Sequence, residues 1–116
     1  MKRVGFVASE TTRHGGITIT SLIAPYADTR RYVRNMVEQH GVFVEIYVST
    51  PLEECEKRDT KGLYAKARAG ELKGFTGIDD PYEKPINAEL VLDTVKNSPA
   101  ELVDEIVDYF NENNLL

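Results

Sequence analysis

Residues 42–49 read VFVEIYVS, a nearly continuous run of apolar and β-branched side chains. A run of this kind is the mark of a strand buried on both faces, which requires helices on either side of a sheet. The flanking sequence supplies them. RVGFVASETTRH places Val4, Val7 and Ala8 at helical spacing and is stopped by Gly15 and Gly16. ADTRRYVRNMVEQH repeats the spacing with Val33, Met36, Val37 and His40, closed by Gly41. In TPLEECEKR, Thr50 is expected to cap a helix with Pro51 at its first position and Glu53 completing a capping box. SPAELVDEIVDYF repeats the device with Ser98, Pro99 and Glu101, followed by a stripe of Leu102, Val103, Ile106, Val107 and Phe110. ITITSLI (17–23), β-branched and alternating, and AELVLDT (about 89–93) read as further strands. Strands separated by helices predict a parallel sheet with helices on its faces, in which ligands gather at the carboxyl ends of the strands.

A chain of 116 residues is at most one domain. No apolar run approaches the roughly 20 residues that span a bilayer, and MKRVGFVASE carries no signal-peptide pattern. The one cysteine, Cys55, rules out an internal disulfide framework, and a reducing cytoplasm is the expected setting. A net charge of −5 argues against a general nucleic-acid or anionic-membrane binder. Against that acidic background, RDTKGLYAKARAGELKGFTG (58–77) is +3 and carries four glycines.

That basic stretch has two readings. It is either a solvated charged helix leading into a surface loop, or a mobile cationic segment over the sheet's binding edge. If it is helical, Lys61 and Arg68 share a face that Arg58 extends by one turn. Cations so placed suit phosphate or sulfate, and Gly70, Gly74 and Gly77 permit opening and closing. IAPYADTRR, with Pro25, Tyr26, Arg30 and Arg31, is either a strand-end binding loop or a plain turn into a helix. In FTGIDDPYEKP, Phe75 either stacks on a base or anchors its loop. Asp79 and Asp80 either touch a metal or form a turn. Cys55 reads as a small buried hydrophobe, and His14 and His40 as helix-end residues with no spacing for zinc or a catalytic triad.

Taken together, GFVASETTRHGG, IAPYADTRR, VEIYVSTPLEECEKRDTKGLYAKARAGELKGFTGIDDPYEKP and LVLDT resemble the adenylylsulfate (APS) kinase family. They stand in the family's order and spacing and cover essentially the whole chain. Their wording is most like the kinase portion of bacterial fusions with sulfate adenylyltransferase. The resemblance implies transfer of the γ-phosphoryl of ATP, as its Mg2+ complex, to the ribose 3′-hydroxyl of APS. It also implies a P-loop-kinase-like α/β fold, a three-layer parallel sheet with helices on both faces. By the same resemblance, Ile23, Ala24, Lys61, Gly74 and Phe75 bind APS. Arg58 and Arg68 are lid arginines near the phosphates, and Arg58 and Asn97 serve ATP. The lid covers about 58–80, and no metal-ligating residue is implied. Some members carry a serine, proposed to be phosphorylated, where Ala24 stands, so that chemistry is impossible here.

The family begins with segments that have no counterpart in this sequence: its first two strands and the P-loop. No G-x-x-x-x-G-K-[ST] occurs. The chain is therefore expected to be a partial kinase domain (1–116) that is inactive alone, as a truncated or split product or a fragment of a longer protein. One of the missing strands lies between the equivalents of 17–23 and 42–49 in the family. Those two segments would then pair in a rearranged sheet, or leave a gap that another chain fills. A homo-oligomer, or association with the remaining kinase portion or a sulfate adenylyltransferase, is expected. The alternative function is a non-catalytic nucleotide-binding or regulatory module derived from the kinase.

Overall fold

A glycine in the first helix sets how closely its neighbour can approach. The computed structural model describes residues 1–115. In it α1 (Lys2–Arg13) packs on α2 (Ala27–Val37). A Cβ on Gly5 would stand 2.5 Å from a Val33 methyl, so only glycine fits there without a shift. The buried face of α1 is Gly5, Ala8 and Ser9. Ala8, Val33 and Val37 form a small core, with Met1 and Phe43 packed against it. The Ser9 hydroxyl donates to the Met36 carbonyl at 3.2 Å. The expected apolar face is thus turned by one position, and Val7 is 61% exposed. Close helix contact selects small side chains, and bulk is left outside. The second helix ends at Val37, short of the expected His40, and the Gly41 N–H closes it on the Val37 carbonyl.

The chain divides into two units. The first comprises Met1–Val44 and Gly74–Ile86; the second comprises Glu45–Lys73 and the chain from Asn87 onward. In the first unit, residues 17–23 have no strand structure and are exposed. The expected strand does not form because a strand exists only as half of a hydrogen-bonded ladder. Among the described residues the only sheet is a pair elsewhere in the chain.

That pair lies in the second unit. β1 (Ile46–Val48) runs parallel to β2 (Leu90–Leu92), with Tyr47 opposite Val91. The run at 42–49 therefore shortens to three residues. It is not buried on both faces, because Ile46 and Val48 are exposed while β2 buries Leu90 and Leu92. Those leucines pack with Leu102, Ile106 and Tyr109 of α5 (Pro99–Glu112). Tyr109 takes the place expected for Val103 and Val107, which remain exposed. The capping box at Ser98 and Glu101 forms as expected.

The Thr50 cap does not form. α3 (Leu52–Arg58) is preceded by Pro51, with no side-chain cap. The Thr50 hydroxyl lies 2.5 Å from that of Thr94 instead, tying the loops after the two strands. Cys55 is half-buried rather than buried.

Candidate functional site

In the second unit the basic segment is broken. α3 ends at Arg58, and α4 (Leu63–Arg68) begins after Gly62, whose left-handed φ of 65° a glycine takes without strain. The Asp59 carboxylate accepts the N–H groups of Tyr64 and Ala65 at 3.1 and 3.0 Å. Those N–H bonds, the one from Ala65 foremost, hold its carboxyl below the usual range. The break removes the helical face that would have joined Arg58, Lys61 and Arg68. Lys61 sits exposed in the turn. Arg68 forms a two-point pair with Glu56, Nη2 to Oε1 at 2.6 Å and Nε to Oε2 at 3.1 Å. The guanidinium hydrogen bond lowers the Glu56 carboxyl, and the carboxylate raises Arg68 in turn.

Arg58 points elsewhere. Its Nη1 and Nη2 donate to the hydroxyl and carbonyl of Thr94 at 3.0 and 2.9 Å, and its Nε to Glu54 at 2.8 Å. It thereby becomes one wall of an open cleft of about 540 Å³ at the carboxyl end of β2. Thr94, Lys96, Asn97, Ser98 and Leu102 line the rest. Asp93 shapes the rim by accepting the Val95 N–H at 2.9 Å, which lowers its carboxyl, and by pairing with Lys96 at 3.2 Å. The cleft has the size of a small-molecule site, with cations and the start of α5 on its border. Arg58 and Asn97 are thus brought together; Arg68 and Lys61 are not among the residues lining the cleft.

The first unit joins two loops that are distant in sequence. The Tyr26 hydroxyl donates to both carboxylate oxygens of Asp80, at 2.9 and 2.8 Å, which raises the phenol's pKa. The Glu83 N–H donates to the Pro25 carbonyl at 2.8 Å. Arg30, 8% exposed, donates to the carbonyls of Ala24 at 2.7 Å and Glu83 at 2.6 Å. Ala24 sits at φ 45°, a left-handed conformation that costs a non-glycine residue about 1 kcal/mol or more. Asp79 accepts the N–H groups of Gly74 and Phe75 at 2.8 and 2.5 Å, so this aspartate forms the turn. Asp80 is engaged by Tyr26. Among the described residues no group of three or more His, Cys, Asp or Glu side chains is placed to hold a metal.

Of the residues expected to bind APS, Ala24, Gly74 and Phe75 therefore belong to one connected loop cluster, with exposed Ile23 beside it. Glu83 and Thr94 went unnoticed in the sequence. Their partners lie 36 to 58 residues away, a separation that leaves no local signal.

The sequence profile of the adenylylsulphate kinase family matches residues 1–93. The chain belongs to that family. An APS kinase from Mycobacterium tuberculosis, solved in complex with AMPPNP and APS, superposes with a TM-score of 0.88 at 40% identity. That match covers 95% of this chain and 64% of the solved one. A hexameric APS kinase from Thiobacillus denitrificans gives a TM-score of 0.68 at 35% identity, covering 99% of this chain and 17% of that one. The α/β fold with parallel strands and helices is that of the APS kinases.

Among curated proteins, sulfate adenylyltransferase of Aspergillus oryzae is 54% identical over 92% of this chain. Its Gibberella zeae counterpart is 48% identical over the whole chain. These relatives are fungal, whereas the wording of the motifs suggested bacterial fusions. The chain spans about a fifth of their length.

Proposed function

We propose that these residues are part of a single APS kinase domain, the region that hands the ATP γ-phosphoryl to the 3′-hydroxyl of APS in sulfate activation. The observation that carries the reading is the loop cluster of the first unit. It links Ala24 to Gly74 and Phe75, the positions assigned to APS by the family motifs. The cleft with Arg58 and Asn97 fits an ATP site, with Mg2+ travelling as part of the nucleotide complex. Arg68 and Lys61, exposed on the basic segment, suit a lid that meets phosphate and sulfate. The proposed setting is the cytoplasm, on the single cysteine of the sequence. Among the described residues no helix is long and apolar enough to cross a membrane.

The sequence contains no G-x-x-x-x-G-K-[ST] loop to cradle the β- and γ-phosphates. The isolated chain is accordingly expected to bind nucleotide without transferring phosphoryl groups, the behaviour of a non-catalytic module. Titration calorimetry with APS and with ATP, alongside an ADP-release assay, tests both parts. No heat with either nucleotide would overturn the reading. Turnover at roughly 1–100 per second would overturn the binding-only expectation.

Ile17, Ile19 and Ile23 are 75%, 90% and 68% exposed, which supports a self-associated or partner-bound state. Light scattering over a dilution series should show a mass above the monomer, and a monomer at every concentration would refute it.

A further inference from the structure

We propose that Arg30 and Glu83 are positioning residues for APS: they touch the loop backbones rather than the ligand, and they set the shape that Ala24 and Phe75 present to it. The proposal rests on the functional reading above.

The Tyr26 carbonyl takes the Thr29 and Arg30 N–H groups at the start of α2, but no side chain of the helix's own start takes the Ala27 N–H. Tyr26, at the cap position, provides no side-chain hydrogen bond. Asp28, in the first turn, pairs outward with Arg31 at 2.6 Å. The acceptor comes from the other loop, where Glu83 Oε2 takes the Ala27 N–H at 2.6 Å. Glu83 is thereby bound through its side chain to Ala27, through its N–H to Pro25 and through its carbonyl to Arg30. Three atoms of one residue are tied to three residues, Pro25, Ala27 and Arg30, that lie more than fifty positions away.

Arg30 completes the frame. One guanidinium spans the carbonyl of Ala24 and the carbonyl of Glu83, so it holds the left-handed residue on one loop against the anchor of the other. The planar fork suits this task, since a lysine could not satisfy both carbonyls in fixed geometry. The frame extends to Phe75, because Asp80, next to the Asp79 that closes the Gly74–Phe75 turn, is held by Tyr26. Fixing both loops before the ligand arrives removes the ordering cost from binding. Loss of either residue should therefore weaken APS without weakening ATP, whose assigned residues, Arg58 and Asn97, belong to the other unit.

Calorimetry with APS and with ATP on the full chain, beside amide hydrogen exchange at Ala27, tests this in Glu83→Ala, Glu83→Gln, Arg30→Met and Arg30→Lys. Glu83→Ala and Arg30→Met should weaken APS about tenfold, the equivalent of one lost hydrogen bond to a charged group, with ATP unchanged within about twofold. Glu83→Gln keeps an acceptor for the Ala27 N–H and should restore most of the affinity; Arg30→Lys should restore only part. Exchange at Ala27 should rise in Glu83→Ala and not in Glu83→Gln. Equal losses for APS and ATP would show a role in the fold alone and overturn the proposal. So would unchanged APS affinity, or unchanged Ala27 exchange in Glu83→Ala. If Arg30→Met fails to fold, the pair of variants at exposed Glu83 still decides. If the unaltered chain binds ATP but not APS, the assignment of this cluster to APS is overturned at its root. The exchange comparison would then decide separately whether Glu83 clamps the loops.

Discussion

Two regions of this chain hold arginines expected to matter, and they hold them in opposite ways. Arg30 is buried and bonded to carbonyls 6 and 53 positions away. Arg68 lies on the surface, 57% exposed at its side chain, and pairs with Glu56 only 12 positions back. The first arrangement can form only once two distant segments have met. It then persists, because breaking the contacts would leave the buried guanidinium without its partners. The second is a contact between neighbouring helices in water, where an incoming anion competes with Glu56 on nearly equal terms. The loops around Ala24 and Phe75 therefore have the character of a frame, and the basic segment that of a solvated arm.

The largest expected effect separates the two directly. Arg30→Met should destabilise the chain by about 2–4 kcal/mol in urea unfolding, from hydrogen bonds lost to a buried charged group. Arg68→Met should move the midpoint little, and added salt should erase the difference. Equal costs for the two would end the distinction between frame and arm.

Phe75→Ala comes next. If the frame presents this ring to the APS adenine, calorimetry should show binding weakened by about 1–3 kcal/mol, the range for base–aromatic stacking. Tyr82, whose ring lies 5.8 Å from the Arg30 guanidinium carbon, serves the frame instead, and Tyr82→Ala should weaken binding less. Equal losses would mean that Phe75 only anchors its loop.

A smaller effect sharpens the contrast within the second unit. Ser98→Ala removes a complete capping box and should cost about 1 kcal/mol in thermal or urea unfolding. Thr50→Ala removes no cap, so the helicity of α3 should survive it, while the link to Thr94 is lost. Fraying of α3 in that variant, seen by NMR chemical shifts, would restore the capping role that the sequence suggested.

The smallest effect is in pH. Glu56 and Asp59 both have folded pKa values below the unfolded ones, held down by Arg68 and by backbone N–H groups. Each contributes stability that is fully present above the ordinary carboxylate range near pH 4 and is lost as the pH falls through the lowered value. Acidification should therefore loosen the start of α4 and free Arg68. Shifts of the α4 amides that stay constant while the Glu56 and Asp59 carboxyls take up their protons would contradict this.

The sequence alone determined whatever depends on neighbours a few positions apart. The helix at Lys2–Arg13, the helix start at Ala27, the box at Ser98 and the glycine-rich turns follow from spacing and capping chemistry that act within one or two turns. The family too was readable, because its motifs are runs of adjacent residues.

Tertiary structure alone decided which faces are buried and which loops meet. Gly5 and Ser9 rather than Val4 and Val7 face α2, because the partner helix comes close enough to exclude bulk. Residues 17–23 have every propensity for a strand and remain unpaired, since a ladder needs a second backbone that propensity cannot supply. Glu83, an unremarkable acid in a proline-flanked loop, acquires its role only when its carboxylate reaches the Ala27 amide 56 positions earlier. Backbone and side-chain preferences act over a few ångströms along the chain. Contacts such as these are set by which surfaces fold together, and no stretch of local sequence encodes that.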